Sequence, residues 1–575
     1  MASYTIGVHD GHNAAAAIQR DGKLLYAIQE ERLARKKNWV GFPKQSVQAC
    51  LDYAGIGPQD VEELSFASLR QTPNNLRSYD QLASVQRSSS LYGIFRGAFL
   101  WFPIYKAHKN MGWRERLNFA KEMGFSESQC ERYAHHLCHA ATAYYGMRED
   151  HDSEYLVLTM DGYGDEDCAT VSIGRGGRLE TIARTPLGHS LGTIYAITTG
   201  MMGFRPLEHE YKLMGMAPYA NPSYAEDAAA KFRTLLGVDM DKLQLRRKTP
   251  EPTFLMARRI KSMVSCMRFD NVVAGLQQHC EEVMMDFVRA AIQKTGIRRV
   301  LAAGGVFMNV KANKRIMEMP EVDYFSVAPS AGDESMSMGV AWHAYAKRHG
   351  YSAAANIEPL GALYLGDLTP EEKIDQAVRE SGFKFTRFDD VEKEVAELLA
   401  AGQPVARCKG RMEFGARALG NRSILADPKN QDIVRIINRM VKKRDFWMPF
   451  APVIRKERVG DYFHNPKDLS SPYMMLSFDT FDNYKDLIAA VHNADLTARA
   501  QILEQDHNPD YYKILEYFEN KTGRSVLLNT SFNLHGYPIV MEPEESIDVF
   551  RRTGLEYLNV GQYILQKDDA PIELS

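Results

Sequence analysis

A chain of 575 residues exceeds what one hydrophobic core supports and implies several domains. Its 45% hydrophobic and 25% charged content is that of a soluble globular protein, which excludes fibrous and disordered classes, and a net charge of −3 gives no global reason to bind nucleic acid. Seven cysteines without a C-x-x-C pair argue against zinc ribbons and a disulfide framework, so a reducing cytoplasm is expected. The N-terminus enters a strand-like run with no signal-peptide pattern, and the most apolar stretch, Ile94 to Tyr105, is broken by Arg96 and Pro103. Neither secretion nor membrane contact is expected.

The first residues read as strand, polar turn, strand, tight turn, strand: Thr5 to Val8, His9 to Asn13, Ala14 to Gln19, Arg20-Asp-Gly22, and Lys23 to Gln29. The same order returns in Tyr155 to Leu158, the acid-glycine turn Asp161 to Asp165, Cys168 to Ile173, Gly174 to Gly177 and Leu179 to Ala183. A strand then runs into the glycine turn of Val300 to Asn309 and on into a helix. This order is similar to the duplicated actin and sugar-kinase nucleotide fold, in which paired turns face each other across a cleft and touch phosphates. The fold class expected is therefore α/β.

His135 and His139 lie four apart, a spacing that on a helix puts two imidazoles on one side where they can chelate one ion. A zincin-type protease needs Glu after the first histidine, and His136 stands there, so a metal used for something other than peptide hydrolysis is expected. Candidates for the same site are His12, Asp161 and Asp333, the last just before a small-residue helix. Two imidazoles and two carboxylates suit iron or zinc, with manganese a further choice, and leave coordination positions for water or substrate. His12, after Asp10 and Gly11, is the first choice for a general base or polarising donor. Glu210 and Lys212, in a segment that reads as a loop, are candidates for lining an acceptor site or for a solvated ion pair.

The pattern changes between about 350 and 385, which places domains at 1–355 and 356–575. The second domain opens with an amphipathic helix, Pro370 to Glu380, and has strand candidates at Val405 to Arg407 and Ser525 to Asn529. Arg407, Lys409, Arg411, Arg417 and Arg422 crowd into a stretch with one acid, Glu413, and glycines at 410, 415 and 420. Such a loop would let guanidinium groups converge on an anion. Lys442 and Arg444 form a second cationic pair, and Asn529 to Asn533 supplies small polar groups suited to a triphosphate or carboxylate-like anion. RNA phosphate is the alternative anion, but without a long basic stripe a compact phosphate pocket is favoured.

The phrases Gly410-Arg-Met-Glu-Phe-Gly-Ala-Arg-Ala-Leu-Gly-Asn-Arg-Ser-Ile-Leu-Ala-Asp-Pro428, Leu528-Asn-Thr-Ser-Phe-Asn533, His135-His-Leu-Cys-His139 and Leu213-Met-Gly-Met-Ala-Pro-Tyr219 resemble the signatures of the O-carbamoyltransferases that modify nodulation factors, cephalosporins and aminoglycosides. The resemblance covers essentially the whole chain. It implies an N-terminal duplicated actin-like domain similar to the tRNA threonylcarbamoyl transferase and a C-terminal domain similar to the YrdC threonylcarbamoyl-adenylate synthase. It implies that the C-terminal domain makes carbamoyl adenylate from carbamoyl phosphate and ATP, with Mg2+. The N-terminal domain then passes the carbamoyl group to a hydroxyl of a small acceptor, a natural product or sugar. By that resemblance Arg417, Lys442, Arg444, Arg499, Asn529, Ser531 and Asn533 hold carbamoyl phosphate and ATP. His135, His139, Asp161 and Asp333 bind an iron-type divalent metal, and His12 with Asp10 orients the carbamoyl group or takes the acceptor proton. Gly162, Gly304, Gly305 and Asn309 contact the adenylate. The chain departs from the family pattern at Asn13, Met448, Leu534-His535 and the stretch from His492 to Arg499. The rival reading is a tRNA threonylcarbamoylation enzyme. A homodimer is a further expectation, with Arg87 to Arg116 as an acceptor-pocket or oligomer-contact candidate beside a plainer role in packing.

Overall fold

The computed structural model describes residues 2–70, 104–442, 445 and 447–567, with only the backbone course described for 104–111 and 442. The chain divides into two compact units, Met1–Glu30 with Asn38–Leu360, and Glu31–Lys37 with Gly361–Ser575. Most of the stretch from Arg87 lies outside the described residues, and its end falls in the helix Ile104–Glu122.

Two five-stranded sheets build the first unit. In the first, β1 (Tyr4–His9), β2 (Ala15–Arg20) and β3 (Lys23–Gln29) form an antiparallel meander, and β4 (Val61–Ala67) and β5 (Cys130–Tyr133) add in parallel on the far side of β1, giving the order β3-β2-β1-β4-β5. The second uses β6 (Tyr155–Gly164), β7 (Asp167–Arg175) and β8 (Arg178–Pro186). After a hairpin of β9 (Leu236–Asp239) and β10 (Gln244–Arg247), it adds β11 (Arg299–Ala303) and β12 (Tyr324–Val327). Its order, β8-β7-β6-β11-β12, and its pairing directions repeat the first sheet strand for strand. The inner strands are largely buried, β1 from Thr5 to His9 and β6 from Tyr155 to Met160, whereas the edge strand β8 mostly alternates exposed and half-buried residues, as an edge with one wet face must.

Each sheet is followed by a helix, His135–Met147 after β5 and Met336–His349 after β12. Each packs on the sheet of the other repeat: His135–Met147 lies on β6, β7 and β11, and Met336–His349 on β1, β2 and β4. The helices also pack on one another, and Gly339 permits the approach, since a Cβ there would lie 2.3 Å from the Cys138 carbonyl oxygen. This exchange brings the N-termini of both helices, and the turns that precede them, between the sheets. Between β8 and β11 the chain adds a helical insertion. Within it, Leu191–Met201 is capped by Ser190, whose hydroxyl accepts from the Thr193 N–H. The long helix Phe269–Thr295 ends on left-handed Gly296.

The second unit centres on an eight-stranded mixed sheet, in spatial order Lys384–Arg387, Tyr563–Gln566, Tyr557–Val560, Val405–Cys408, Arg422–Ala426, Val526–Ser531, Ala451–Arg455 and Gln501–Leu503. Alternation along its strands feeds two cores. Ile424 and Leu528 join Val378, Phe532 and Phe550, while their neighbours Leu425 and Leu527 join Val395, Leu399, Leu515 and Phe518. Helices therefore cover both faces. Burying these side chains, at about 1.5–3 kcal/mol each, supplies the driving force for this half.

Candidate functional site

Four side chains from three segments meet in the first unit. His135 and His139 stand on the first turns of their helix, Asp161 follows the last regular pair of β6, and Asp333 opens the turn before Met336–His349. The two Nε2 atoms lie 3.1 Å apart, Asp161 Oδ2 is 3.4 and 3.2 Å from them, and Asp333 Oδ1 is 3.7 and 3.4 Å away. All four donor atoms fall within 4.8 Å of one another. The sequence reading of a turn at Asp161 is refined here, since β6 runs on to Gly164 with its pairing interrupted after Met160.

Electrostatically the cluster favours positive charge at its centre. Burial works most strongly to lower His139, yet hydrogen bonds to Asp161 and Asp333 outweigh it and raise the imidazole to about 9. Burial pushes both carboxyls up, but the facing histidines hold them below the ordinary range, Asp161 far below it. Two anions and two imidazoles converging on one point fit a divalent metal of the iron, zinc or manganese class. The carboxylates keep 18% and 23% exposure, so the cluster is open on their side while the histidines close the other.

Neighbours fix the ligands. Ser68 Oγ lies 2.9 Å from His135 Nδ1, and Asp165 Oδ2 accepts the His135 N–H at 2.8 Å. Gly164 lies flat against the His135 ring, where a Cβ would come within 2.0 Å of Cδ2. His136 turns away to Thr159 Oγ1 at 2.8 Å, and burial and the neighbouring histidines push it down to about 3, so it stays neutral. His9, which the sequence reading put in the polar turn without a role, instead ends β1 and lies at the rim: its Nε2 donates to the His12 carbonyl at 3.0 Å and sits 3.6 Å from Asp333 Oδ2. Burial lowers it to about 4. His9 thereby holds the backbone of His12 beside the cluster. Asp10 is buried, and its two oxygens accept from Arg116 Nε and Nη2 at 2.9 and 2.7 Å. Its carboxylate is committed to holding that arginine.

Gly162, Gly304 and Gly305 gather at Asp161. The Gly162 carbonyl accepts from Ser190 Oγ at 2.5 Å and Thr193 Oγ1 at 3.1 Å, and a Cβ on Gly305 would stand 3.1 Å from Asp161 Oδ1. Gly304 has φ +99°, and a Cβ there would strike the Met160 carbonyl, so only glycine fits. Asn309 caps the helix Val310–Met317 and exchanges amide hydrogen bonds with Gln277 at 3.0 and 2.9 Å. The expected loop at 210–218 is instead the helix Glu210–Met216 followed by a 3₁₀ turn, because Glu210 folds back to accept the Leu207 N–H at 2.7 Å and starts the helix. Burial raises Glu210 to about 7, and the Lys212 ammonium lies 5.4 Å from the Phe204 ring centre.

In the second unit the five clustered cations have diverging roles, which corrects the expectation that they converge on one anion. Arg407 is fully buried and donates to Asn559 Oδ1 at 2.7 Å. Lys409 pairs with Glu392 and Asp510, Arg411 donates to the Leu365 and Gly366 carbonyls, and Arg422 to those of Met541 and Gly410. The lone acid is the organiser of the glycine loop: Glu413 Oε1 accepts from the N–H groups of Leu419, Asn421 and Arg422. Arg417 is half-buried on that loop. Asn529 Nδ2 donates to the Ala418 carbonyl and to Gln501 Oε1, and Gln501 Nε2 donates to the Leu419 carbonyl, which ties strand and loop together. Ser531 Oγ donates to Asn533 Oδ1 at 2.7 Å, and Arg499 is half-buried two residues before Gln501. The Lys442 side chain and Arg444 lie outside the described residues.

Comparison with known proteins places this geometry. Residues 5–342 match the family model described as carbamoyltransferase N-terminus, and residues 396–567 match that of carbamoyltransferase C-terminus. Nodulation protein NolNO of Sinorhizobium fredii is 32% identical over 98% of this chain and 80% of its own. An uncharacterized protein of Synechocystis, sll1178, is 31% identical over 97% and 96%. Full-length HypF in its phosphate- and nucleotide-bound form aligns with TM-score 0.37 and 12% identity over 61% of this chain and 56% of that one. With both family models matched in order along its length, the chain belongs to the carbamoyltransferase family and is a transferase enzyme.

Proposed function

We propose that this carbamoyltransferase is ATP-dependent and modifies a hydroxyl of a small acceptor, a natural product or a sugar. The C-terminal unit, of YrdC-like type, forms carbamoyl adenylate from carbamoyl phosphate and ATP. The N-terminal unit, of actin-like type, transfers the carbamoyl group. The observation that carries the reading is the convergence of His135, His139, Asp161 and Asp333 beside the glycines Gly162, Gly304 and Gly305.

These four residues would hold a divalent cation, with iron the first choice. When bound, the cation supplies the positive charge that neutralises an adenylate phosphate as AMP departs. Gly305 presents bare backbone beside Asp161, where a phosphate would come close, and Gly304 lets the turn press against Met160. His12, its carbonyl held by His9, takes the proton of the acceptor hydroxyl, while Asp10, paired to Arg116, holds the turn on which His12 stands. In the C-terminal unit Arg417 on the Glu413-organised loop acts with Lys442, Arg444, Arg499, Asn529, Ser531 and Asn533 on the anions of carbamoyl phosphate and ATP. A mixed anhydride with AMP gives the carbamoyl carbon a leaving group that a nucleotide cleft recognises, so the binding energy of the adenosine serves the transfer step.

The test is an anaerobic incubation with ATP, labelled carbamoyl phosphate and a panel of sugar, aminoglycoside and polyketide alcohols, followed by mass spectrometry. Carbamoyl adenylate and a carbamoylated alcohol are expected. No carbamoyl adenylate under any condition, or ATP turnover that needs threonine and bicarbonate instead of carbamoyl phosphate, would sink the mechanism.

A further inference from the structure

We infer that Arg116 is a positioning residue for the metal centre, acting on His135 through Ser68. The inference rests on the reading of His135, His139, Asp161 and Asp333 as ligands of a divalent cation. Arg116 stands on the helix Ile104–Glu122 and is 1% exposed. Its Nε and Nη2 hold both oxygens of Asp10, its Nη1 donates to the Ser68 carbonyl at 2.6 Å, and Nη2 reaches the Ala67 and Arg70 carbonyls at 3.3 Å. One planar fork thus ties the Asp-Gly turn of the first repeat to the segment that leaves β4.

That segment carries strain with a purpose. Ser68 has φ +81°, a conformation costly for a residue with a Cβ, and it persists because both of its sides are gripped. Arg116 takes its carbonyl, and Asp165 accepts the next two N–H groups, of Leu69 and Arg70, at 3.0 Å each. In this conformation the Ser68 hydroxyl meets His135 Nδ1 at 2.9 Å, while Asp165 also accepts the His135 N–H. Ring and backbone of the ligand are therefore referenced to one short segment whose shape Arg116 imposes. The partner of the non-ligating imidazole nitrogen fixes tautomer and ring angle, and its removal costs a metal site about 10- to 100-fold in affinity.

The experiment uses the full chain, Co2+ as probe, chelator competition for affinity and the visible Co2+ spectrum for ligand geometry. Arg116→Met and Ser68→Gly are expected to bind Co2+ about 10- to 100-fold more weakly than the parent, with a shifted visible band. Ser68→Gly removes the hydroxyl while relaxing the positive φ, so it retains the fold and decides the matter alone should Arg116→Met fail to fold. Arg148→Met is the control: Arg148 is equally buried in the same unit but donates to the Ala354 and Ile357 carbonyls, and its loss should leave the Co2+ spectrum unchanged. Parental affinity and spectrum in folded Ser68→Gly and Arg116→Met would overturn the inference, as would an equal loss in Arg148→Met. A parent protein that binds neither Co2+ nor Fe2+ would instead bring down the metal reading, and this inference with it.

Discussion

The proton on His139 sets a measurable link between pH and cation binding. The imidazole titrates at about 9 because Asp161 and Asp333 together outweigh its complete burial, so at pH 7 the metal-free cluster holds that proton between its carboxylates. A cation that uses Nε2 must displace it. Apparent affinity should therefore rise about tenfold per pH unit from pH 7 to about 9, about a hundredfold or roughly 2.7 kcal/mol in all, and then level off. Chelator-buffered Zn2+ or Co2+ titrations across this range measure the slope. Calorimetry at pH 7 in buffers of different ionisation heat should count about one proton released per cation. The stability of the metal-free protein has the opposite sign. His139 has a folded value raised above its ordinary 6.5, so its contribution is complete below pH 6.5 and is lost as pH rises through about 9, a decrease of about 3 kcal/mol. The metal-loaded protein should show no such loss. Affinity constant between pH 7 and 8.5, or binding without proton release, would refute the reasoning.

Further outcomes separate the roles of individual residues. Gly164→Ala puts a Cβ into the His135 ring and should cost about 1–3 kcal/mol by thermal denaturation and weaken cation binding; Gly162→Ala, where a Cβ meets nothing within 4 Å, should leave both intact. Asp10→Asn leaves the Arg116 charge buried beside a neutral amide and should lose about 3–5 kcal/mol in chemical denaturation, whereas His12→Ala should keep parental stability and lose carbamoyl transfer. Arg422→Lys breaks a fork held on buried carbonyls and should destabilise the C-terminal unit by about 2 kcal/mol, while Arg417→Ala should melt normally and fail to release pyrophosphate from ATP when carbamoyl phosphate is added.

The fold was legible where sequence period and turn chemistry act locally. Strands β1 to β3 and β6 to β8 follow from alternating or continuous apolar runs between Asp-Gly and Gly-rich turns, and their repetition exposes the duplication. His135 and His139 were legible because a helix converts a spacing of four into proximity. What escaped is tertiary. Ser68, Asp165 and Arg116 bear on His135 from β4, the β6–β7 turn and a distant helix, and no spacing in the sequence relates them. His9 escaped because it reads as part of the polar turn, where His12 is the plainer candidate, and only the extension of β1 through His9 brings its ring beside Asp333. The cation cluster of 407–422 misled for the converse reason: proximity in sequence says nothing about which arginines the protein's own carbonyls have already bound, and Arg422 and Arg411 are so bound. In the same way the 210–218 segment reads as irregular until Glu210, the first residue of the helix, is seen to fold back onto the Leu207 N–H.

The two repeats put an aspartate at the same place and surround it differently. Asp10 directly follows the last β1–β2 pair, His9 with Ala15, and Asp161 directly follows the last regular β6–β7 pair, Met160 with Ala169. Buried carboxylates at such positions need a positive partner. The first repeat supplies it as the Arg116 guanidinium, an ion pair whose cation cannot lose its charge under working conditions. The second supplies two imidazoles that carry charge only when protonated, and so leaves Asp161 with a partner that can be exchanged for a cation. On the proposed metal reading, the fixed charge makes one turn a rigid reference, and the exchangeable one makes the other a site. Ser68 and Asp165 join them, because both touch His135 while Arg116 holds Ser68. The proposed chemistry thus rests on the duplication having become asymmetric: with an arginine at both turns there would be no room for a cation, and with histidines at both there would be nothing rigid to aim them.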